Sequence, residues 1–195
     1  MRLLGRRMFE DFSERLFAHF VAGHWRAPFG DETHAVLSHQ GALLGQVVAA
    51  GPDDIARAMA VRRGADRQAC QRLANAIEVA AGGLAQAYAL QSGHLPEAAA
   101  FARMAAALES PLHVGAGGLF TAPDTRFEEL GRALGAGIVG GVIWCPPVEG
   151  AVFATALACL VQQADLPPGA FALLHSRVAS TESALRATSL RFQEC

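Results

Sequence analysis

Apolar and acidic positions alternate at helical spacing between Met8 and His19. Phe9, Phe12, Leu16 and Phe20 share one side with acids between them, which predicts an amphipathic helix. Val21 to Arg26 reads as a short strand ending near Pro28. Ala35-Val36-Leu37 and Gln46-Val47-Val48 are two further strand-like pieces, separated by a turn at Gln40-Gly41. Gly51-Pro52-Asp53-Asp54 starts a helix, because a proline and acids suit a first turn. From Ile55 to Leu108 the pattern is helical, with Ile55, Met59, Leu73, Ile77 and Leu84 marking apolar faces. Breaks fall near Gly64, Gly82-Gly83 and Ser92-Gly93, and Leu95-Pro96-Glu97 opens a further helix.

The second half changes character. Ser110 to Asp124, rich in Gly and Pro, reads as an extended hairpin, and Thr125 to Leu134 as a helix. Gly137 to Trp144 is nearly free of polar residues and predicts a buried strand. A buried helix over 148–164, a turn at Asp165-Leu166-Pro167-Pro168-Gly169 and a buried strand from Phe171 to Leu174 follow. A weakly amphipathic helix over 180–190 closes the pattern. Strand, helix and strand with short connectors mark a parallel βαβ unit. The predicted class is α/β: a partial Rossmann-like parallel sheet with flanking helices and an N-terminal antiparallel strand addition, in one domain over 1–195. The apolar run from Gly137 to Val161 has the length of a membrane span, but Pro146, Pro147 and Glu149 interrupt it, so no membrane insertion is expected.

Composition narrows the chemistry. The 195 residues are 52% hydrophobic and 17% charged, which excludes a disordered chain. A net charge of −2 gives no basic surface for nucleic acid. The four cysteines, Cys70, Cys145, Cys159 and Cys195, are scattered and include no CxxC pair, so neither a disulfide framework nor a zinc knuckle is indicated. No apolar segment follows the basic start Arg6-Arg7, and the cytoplasm is the expected compartment. All 16 basic residues are arginine. A chain without lysine has no Walker-A phosphate site, Schiff-base amine or lysine general base.

Four segments, in order, carry a family resemblance. Phe20-Val21-Ala22-Gly23-His24-Trp25 resembles the opening strand of the aldehyde dehydrogenases. Leu44-Gly45-Gln46-Val47-Val48 with Asp53-Asp54-Ile55-Ala56 resembles the next strand and first helix of that superfamily. Leu134-Gly135-Ala136-Gly137-Ile138-Val139-Gly140-Gly141-Val142-Ile143 is similar to its P-x-G-V-x-G-x-I strand. Gln163-Ala164-Asp165-Leu166-Pro167-Pro168-Gly169 is similar to its A-G-L-P-P-G-V turn. The resemblance covers about Phe20 to Leu174. It implies a degenerate N-terminal, NAD(P)-binding half without the catalytic domain, with 110–137 containing part of a projecting oligomerisation hairpin.

The departures shape the functional expectation. The family's strand runs into Pro-Trp-Asn, whose Asn helps to hold the thioester oxyanion. With the strand ending at Ile143, that position is Pro147, which has no side-chain donor. The family's next strand carries Lys-Pro-Ser-Glu, whose Lys and Glu hold the adenosine ribose. The stretch 148–162 is too short for helix, strand and second helix, so a deletion of that strand is expected. No residue matches the catalytic Cys or general-base Glu of the family. What remains as a cofactor-binding set is Ile143, Trp144, Cys145, Pro146 and Pro147. The resemblance implies a structural or regulatory subunit that is inactive by itself, partnered by copies of itself or by a full-length aldehyde dehydrogenase. The alternative is an NAD(P)-dependent aldehyde oxidoreductase, active only in a complex with a complete subunit.

Other candidates favour packing over chemistry. Cys145 follows a buried strand and reads as a small core residue, and Cys159 likewise. The histidines 19, 24, 34, 39, 94, 113 and 175 show no i,i+4 metal spacing and read as surface or hydrogen-bonded groups. Gly135-Ala136-Gly137-Ile138-Val139-Gly140 matches GxGxxG but precedes its strand, so close backbone packing is the expectation. Glu149 suits a helix N-terminus. Arg62, Arg63 and Arg67 are expected on an exposed helix face.

Overall fold

The fold is described from a computed structural model, over residues 16–109, 117–175 and 192–194. Strands β1 (Leu16–Phe17), β2 (His19–Val21), β3 (His24–Arg26), β4 (Thr33–Leu37) and β5 (Leu43–Val48) come first. Helices α1 (Pro52–Val61), α2 (Arg67–Val79), α3 (Ala81–Ser92) and α4 (Ala98–Glu109) follow. The chain then alternates: β6 (Gly118–Phe120), α5 (Phe127–Gly140), β7 (Val142–Cys145), α6 (Ala151–Gln163) and β8 (Phe171–Leu173), with β9 at Phe192–Glu194.

The six-stranded sheet has the order β3-β2-β8-β7-β6-β9. Its β8, β7, β6 and β9 are parallel, while β2 and β3 add as an antiparallel hairpin on the β8 edge. Successive strands β6, β7 and β8 step to one side, and the next parallel strand returns to the other side of β6. That 3-2-1-4 order belongs to doubly wound dinucleotide-binding sheets. A second sheet, β1-β5-β4, stands apart. The mixed α/β class read from the sequence and its antiparallel addition are thus both present.

Several boundaries differ from the sequence reading. Leu16–Phe17 and His19–Val21 are strands, so the predicted Met8–His19 helix does not extend over its last residues; its start lies outside the described residues. Val21 to Arg26 is not one strand: a turn at Ala22-Gly23, both at positive φ, folds it into the β2–β3 hairpin. Gly118–Phe120 is a fully buried interior strand and 127–137 is helical, so these residues do not project as a hairpin; 110–116 lie outside the described residues.

The largest correction concerns Gly137 to Trp144. Helix α5 runs through Gly140, and the strand begins only at Val142. The reason is steric. A Cβ on Gly131 would come within 2.2 Å of the Met104 carbonyl oxygen, and one on Gly135 within 2.2 Å of that of Leu108. The two glycines, one turn apart, let α5 lie directly on the backbone of α4. Close backbone packing is therefore what Gly135 provides, but on a helix and not at a strand start.

Helices α2 to α6 share one core with the sheet, around Leu73, Phe101, Leu134, Trp144, Leu157 and Phe171. On the opposite face, α1 brings Ile55 and Ala58 against Val21, Phe120, Ile143 and Cys145. Arg62 and Arg63 are not on a helix face. They leave α1 and donate to the Gly141 and Pro168 carbonyls at 2.7 and 2.6 Å, clamping the starts of β7 and β8.

Candidate functional site at the carboxyl edge of the sheet

In an open α/β sheet the ligand crevice lies beyond the carboxyl ends of the parallel strands. Here that edge is formed by Thr121 after β6 and Pro146-Pro147 after β7. Tyr88 and Gln91 of α3 and Phe153 of α6 complete the walls. The cleft left between them holds about 90 Å³. Ligand pockets for drug-sized molecules run to about 300–1,000 Å³.

The walls are tied together by hydrogen bonds within the chain. The indole Nε1 of Trp144 donates to Thr121 Oγ1 at 3.1 Å, and Ala122 N donates to Thr125 Oγ1 at 2.9 Å. The first turn of α6 has no cap of its own, since Gly150 carries no side chain. Gln91 supplies the cap from α3: Val152 N donates to its Oε1 at 2.8 Å, and its Nε2 donates to the Val148 carbonyl at 2.9 Å. One of the first-turn donors that attract phosphate at other helix N-termini, Val152 N, thus already has a neutral amide against it.

The resemblance implies a dinucleotide at this edge, and the residues present do not fit one. The connector 121–126, between β6 and α5, has no glycine of the kind that lets a backbone approach a pyrophosphate closely. The first turn of α5 carries Glu128 and Glu129, which repel phosphate. Among the described residues Glu149, exposed in the 3-10 turn before α6, is the one carboxylate on the cleft wall, and no arginine lines it.

The five residues expected to touch a cofactor are divided by the pleat of β7. Trp144 faces the α2–α6 core, and Ile143 and Cys145 face α1. Trp144, Pro146 and Pro147 border the cleft, whereas Ile143 and Cys145 do not. Cys145 is fully buried, and Cys159 is half-buried, its thiol pushed up by burial. Among the described residues no group of three His, Cys, Asp or Glu side chains forms a metal site. No described helix is long and apolar enough to cross a membrane.

A second polar constellation lies under β2, and no local pattern in the chain announces it. Asp54, fully buried, accepts backbone N–H groups from Phe29, Gly30 and Gly51 at 3.0, 3.2 and 3.2 Å. Arg57 meets its other oxygen at 2.7 Å, and His19 Nε2 stands 3.6 Å away. Burial alone would raise the Asp54 pKa; the His19 imidazole 3.6 Å away and the hydrogen bonds from the backbone more than offset that and hold it at about 2. His175, two residues beyond β8, donates its N–H to His19 Nδ1 at 3.1 Å, and its Nε2 meets Thr155 Oγ1 at 3.3 Å. Burial, with His19 beside it, lowers the His175 pKa to about 3. His19 and His175 are 156 residues apart in sequence, so only the fold brings them together.

No protein-family model matches the chain, and a search of curated proteins gives no match. Solved structures do match. Aldehyde dehydrogenase C from Pseudomonas syringae, a mutant in complex with NAD+ and octanal, superposes with a TM-score of 0.74 at 18% identity, over 94% of this chain and 50% of that one. HpcC from Thermus thermophilus gives 0.75 at 22% identity, over 94% and 44%. An indole-3-acetaldehyde dehydrogenase in complex with NAD+ gives 0.75 at 19%, over 94% and 46%. The chain has the aldehyde dehydrogenase fold and spans about half the length of these proteins. At such identities the likeness is one of fold.

The order of elements also corrects the expected deletion. From Gly118 to Leu173 the run of strand, helix, strand, helix, turn and strand is complete. Reading α5 as part of a strand shifts the comparison by one βα unit. In the corrected order, β6 takes the place of the strand that precedes Pro-Trp-Asn, and Thr121-Ala122-Pro123 follows it. The end of β7, Cys145-Pro146-Pro147, takes the place of Lys-Pro-Ser-Glu. By this order of elements, a strand is present where a deletion was expected, and it ends in the buried Cys145. Pro147 is therefore not the counterpart of the oxyanion Asn.

Proposed function

We propose that this aldehyde-dehydrogenase-like chain acts as a structural or regulatory subunit and is not a catalyst by itself. The observation carrying this reading is the Gln91 bridge, which caps Val152 N in the first turn of α6 beside a cleft of only about 90 Å³ at the sheet edge. The buried Cys145 at the end of β7 and the acidic first turn of α5 support it. The partner in this reading is a second copy of the chain or a complete aldehyde dehydrogenase chain. Native mass spectrometry of the protein isolated from its source tests it: a stoichiometric homo-oligomer or mixed complex is expected, and a monomer with no partner overturns it.

A second reading, an NAD(P)-dependent oxidoreductase active only beside a complete subunit, is favoured by the preserved 3-2-1-4 strand order. Titration of the isolated chain with NAD+ and NADP+, followed by calorimetry, separates the two. Heat that saturates at sub-millimolar dinucleotide favours the second reading, and its absence favours the first.

A further inference from the structure

The β2–β3 hairpin closes the edge of the parallel sheet, yet its ladder to β8 has one register pair, Phe20 with Leu173. A further polar attachment is the histidine joint; the segments on either side are held too, Leu16–Phe17 by pairing with β5 and Phe29 and Gly30 by donating to Asp54. His19 accepts from the His175 backbone at Nδ1, so its ring proton is on Nε2, facing Asp54. The two imidazoles lie stacked with centroids 6.2 Å apart, both almost without solvent exposure. The edge of Phe17 closes the other side at 6.1 Å.

The groups around His175 decide what a proton there would meet. From β2 it meets His19; from α1, through His19, Asp54 and Arg57; from α6, the neutral Thr155 hydroxyl. Among the described residues the backbone of Ala18 is the group favouring a charged ring. The Asp54 carboxylate is already met by Arg57 and three backbone donors, so among the described residues no free carboxylate stands ready to receive an imidazolium at His175. In a dry site an unmatched charge is expelled or neutralised. The closed joint therefore requires a neutral His175.

We propose that the His19–His175 joint is an acid-labile latch: proton uptake by His175 frees the β2–β3 hairpin from the edge of β8 while the α4–α5 layer stays folded. The layer has its own hold, the glycine seam of Gly131 and Gly135 on α4, which contains no titrating group. Opening leaves β8 as an unpaired sheet edge, a template for another strand.

Amide hydrogen exchange of the full chain from about pH 7.5 to about pH 5, corrected for intrinsic rates, tests the latch. Below about pH 6 the open fraction reported by Phe20, Val21 and Leu173 should rise at least about tenfold per pH unit, because the open state carries at least one more proton. Protection across Ala133–Ile138 should hold. Parallel loss in both regions, or no change at β2 and β8, overturns the proposal. In His175→Gln the pH slope should fall by about one proton, that is by about tenfold per pH unit, and an unchanged slope overturns the assignment to His175. Should that variant not fold, the ring resonances of His175 in the unaltered protein decide. Protonation that tracks the loss of β2 protection supports the latch, and free titration with protection intact sinks it.

Discussion

The joint beneath β2 and the cleft at the ends of β6 and β7 belong to one sheet and use its interior in opposite ways. Beneath β2 the chain buries a carboxylate, two imidazoles and a guanidinium head, all joined to one another or to backbone. At the cleft, where a doubly wound sheet ordinarily holds its ligand, the walls are aromatic rings and prolines, and the polar groups bond across the wall. Buried polar groups are costly unless matched. In this chain they join the N-terminal strands to the parallel sheet, and the ligand edge is left as a small, mostly apolar cleft.

The largest effect should come from removing the hub of the joint. Asp54→Ala strips the partner from Arg57, His19 and three backbone donors, and a loss of about 3–5 kcal/mol in urea unfolding is expected. A loss below about 1 kcal/mol would make the joint incidental and erase the contrast. Acid comes next. His175 is held below its ordinary 6.5, so it binds a proton in the unfolded chain before the folded one. Its contribution is complete above about pH 6.5 and is lost as pH falls toward 3, by about 2–3 kcal/mol at about pH 4.5. Asp54, depressed to about 2, adds a further loss only below about pH 4. Urea midpoints against pH, with His175→Asn as the flattened control, check both.

On the cleft side the effects should be smaller. Gln91→Ala removes a cap and two hydrogen bonds and should cost about 1–2 kcal/mol, read from the same urea titration. Thr121→Val leaves the Trp144 indole N–H without its acceptor and should cost about 1 kcal/mol, with a shift in the near-ultraviolet circular dichroism of Trp144. If Thr121→Val proved as damaging as Asp54→Ala, the two regions would not differ in kind.

How much of this is legible in the chain varies by region. The strands around Val36 and Val47, the Gly51-Pro52 helix start and the buried β8 follow from local patterns that the tertiary structure reinforces. The α5–β7 boundary does not, because an uninterrupted apolar, glycine-rich run satisfies both periods. What decides it is the carbonyls of Met104 and Leu108, more than twenty residues earlier in the chain. That one boundary carries with it both the expected strand deletion and the misplaced Asn counterpart. The cleft residues Trp144, Pro146 and Pro147 are legible because they end or follow an apolar strand. Gln91 and Thr121 are not, since nothing in their neighbours marks a glutamine as a cap for a helix 61 residues away. Asp54 is visible as a first-turn acid, but its burial depends on the loop at Phe29-Gly30.

The Gln91 bridge also bears on the order in which the molecule forms. A helix such as α2 completes its first turn from neighbouring residues, Asp66 and Ala69. The first turn of α6 waits for α3 to arrive from a distant part of the chain, after loop-closure entropy has been met. It should therefore be among the last pieces to order on the way to the native state and among the first to loosen on the way out. Truncating Gln91 should accelerate unfolding and leave the refolding rate nearly unchanged.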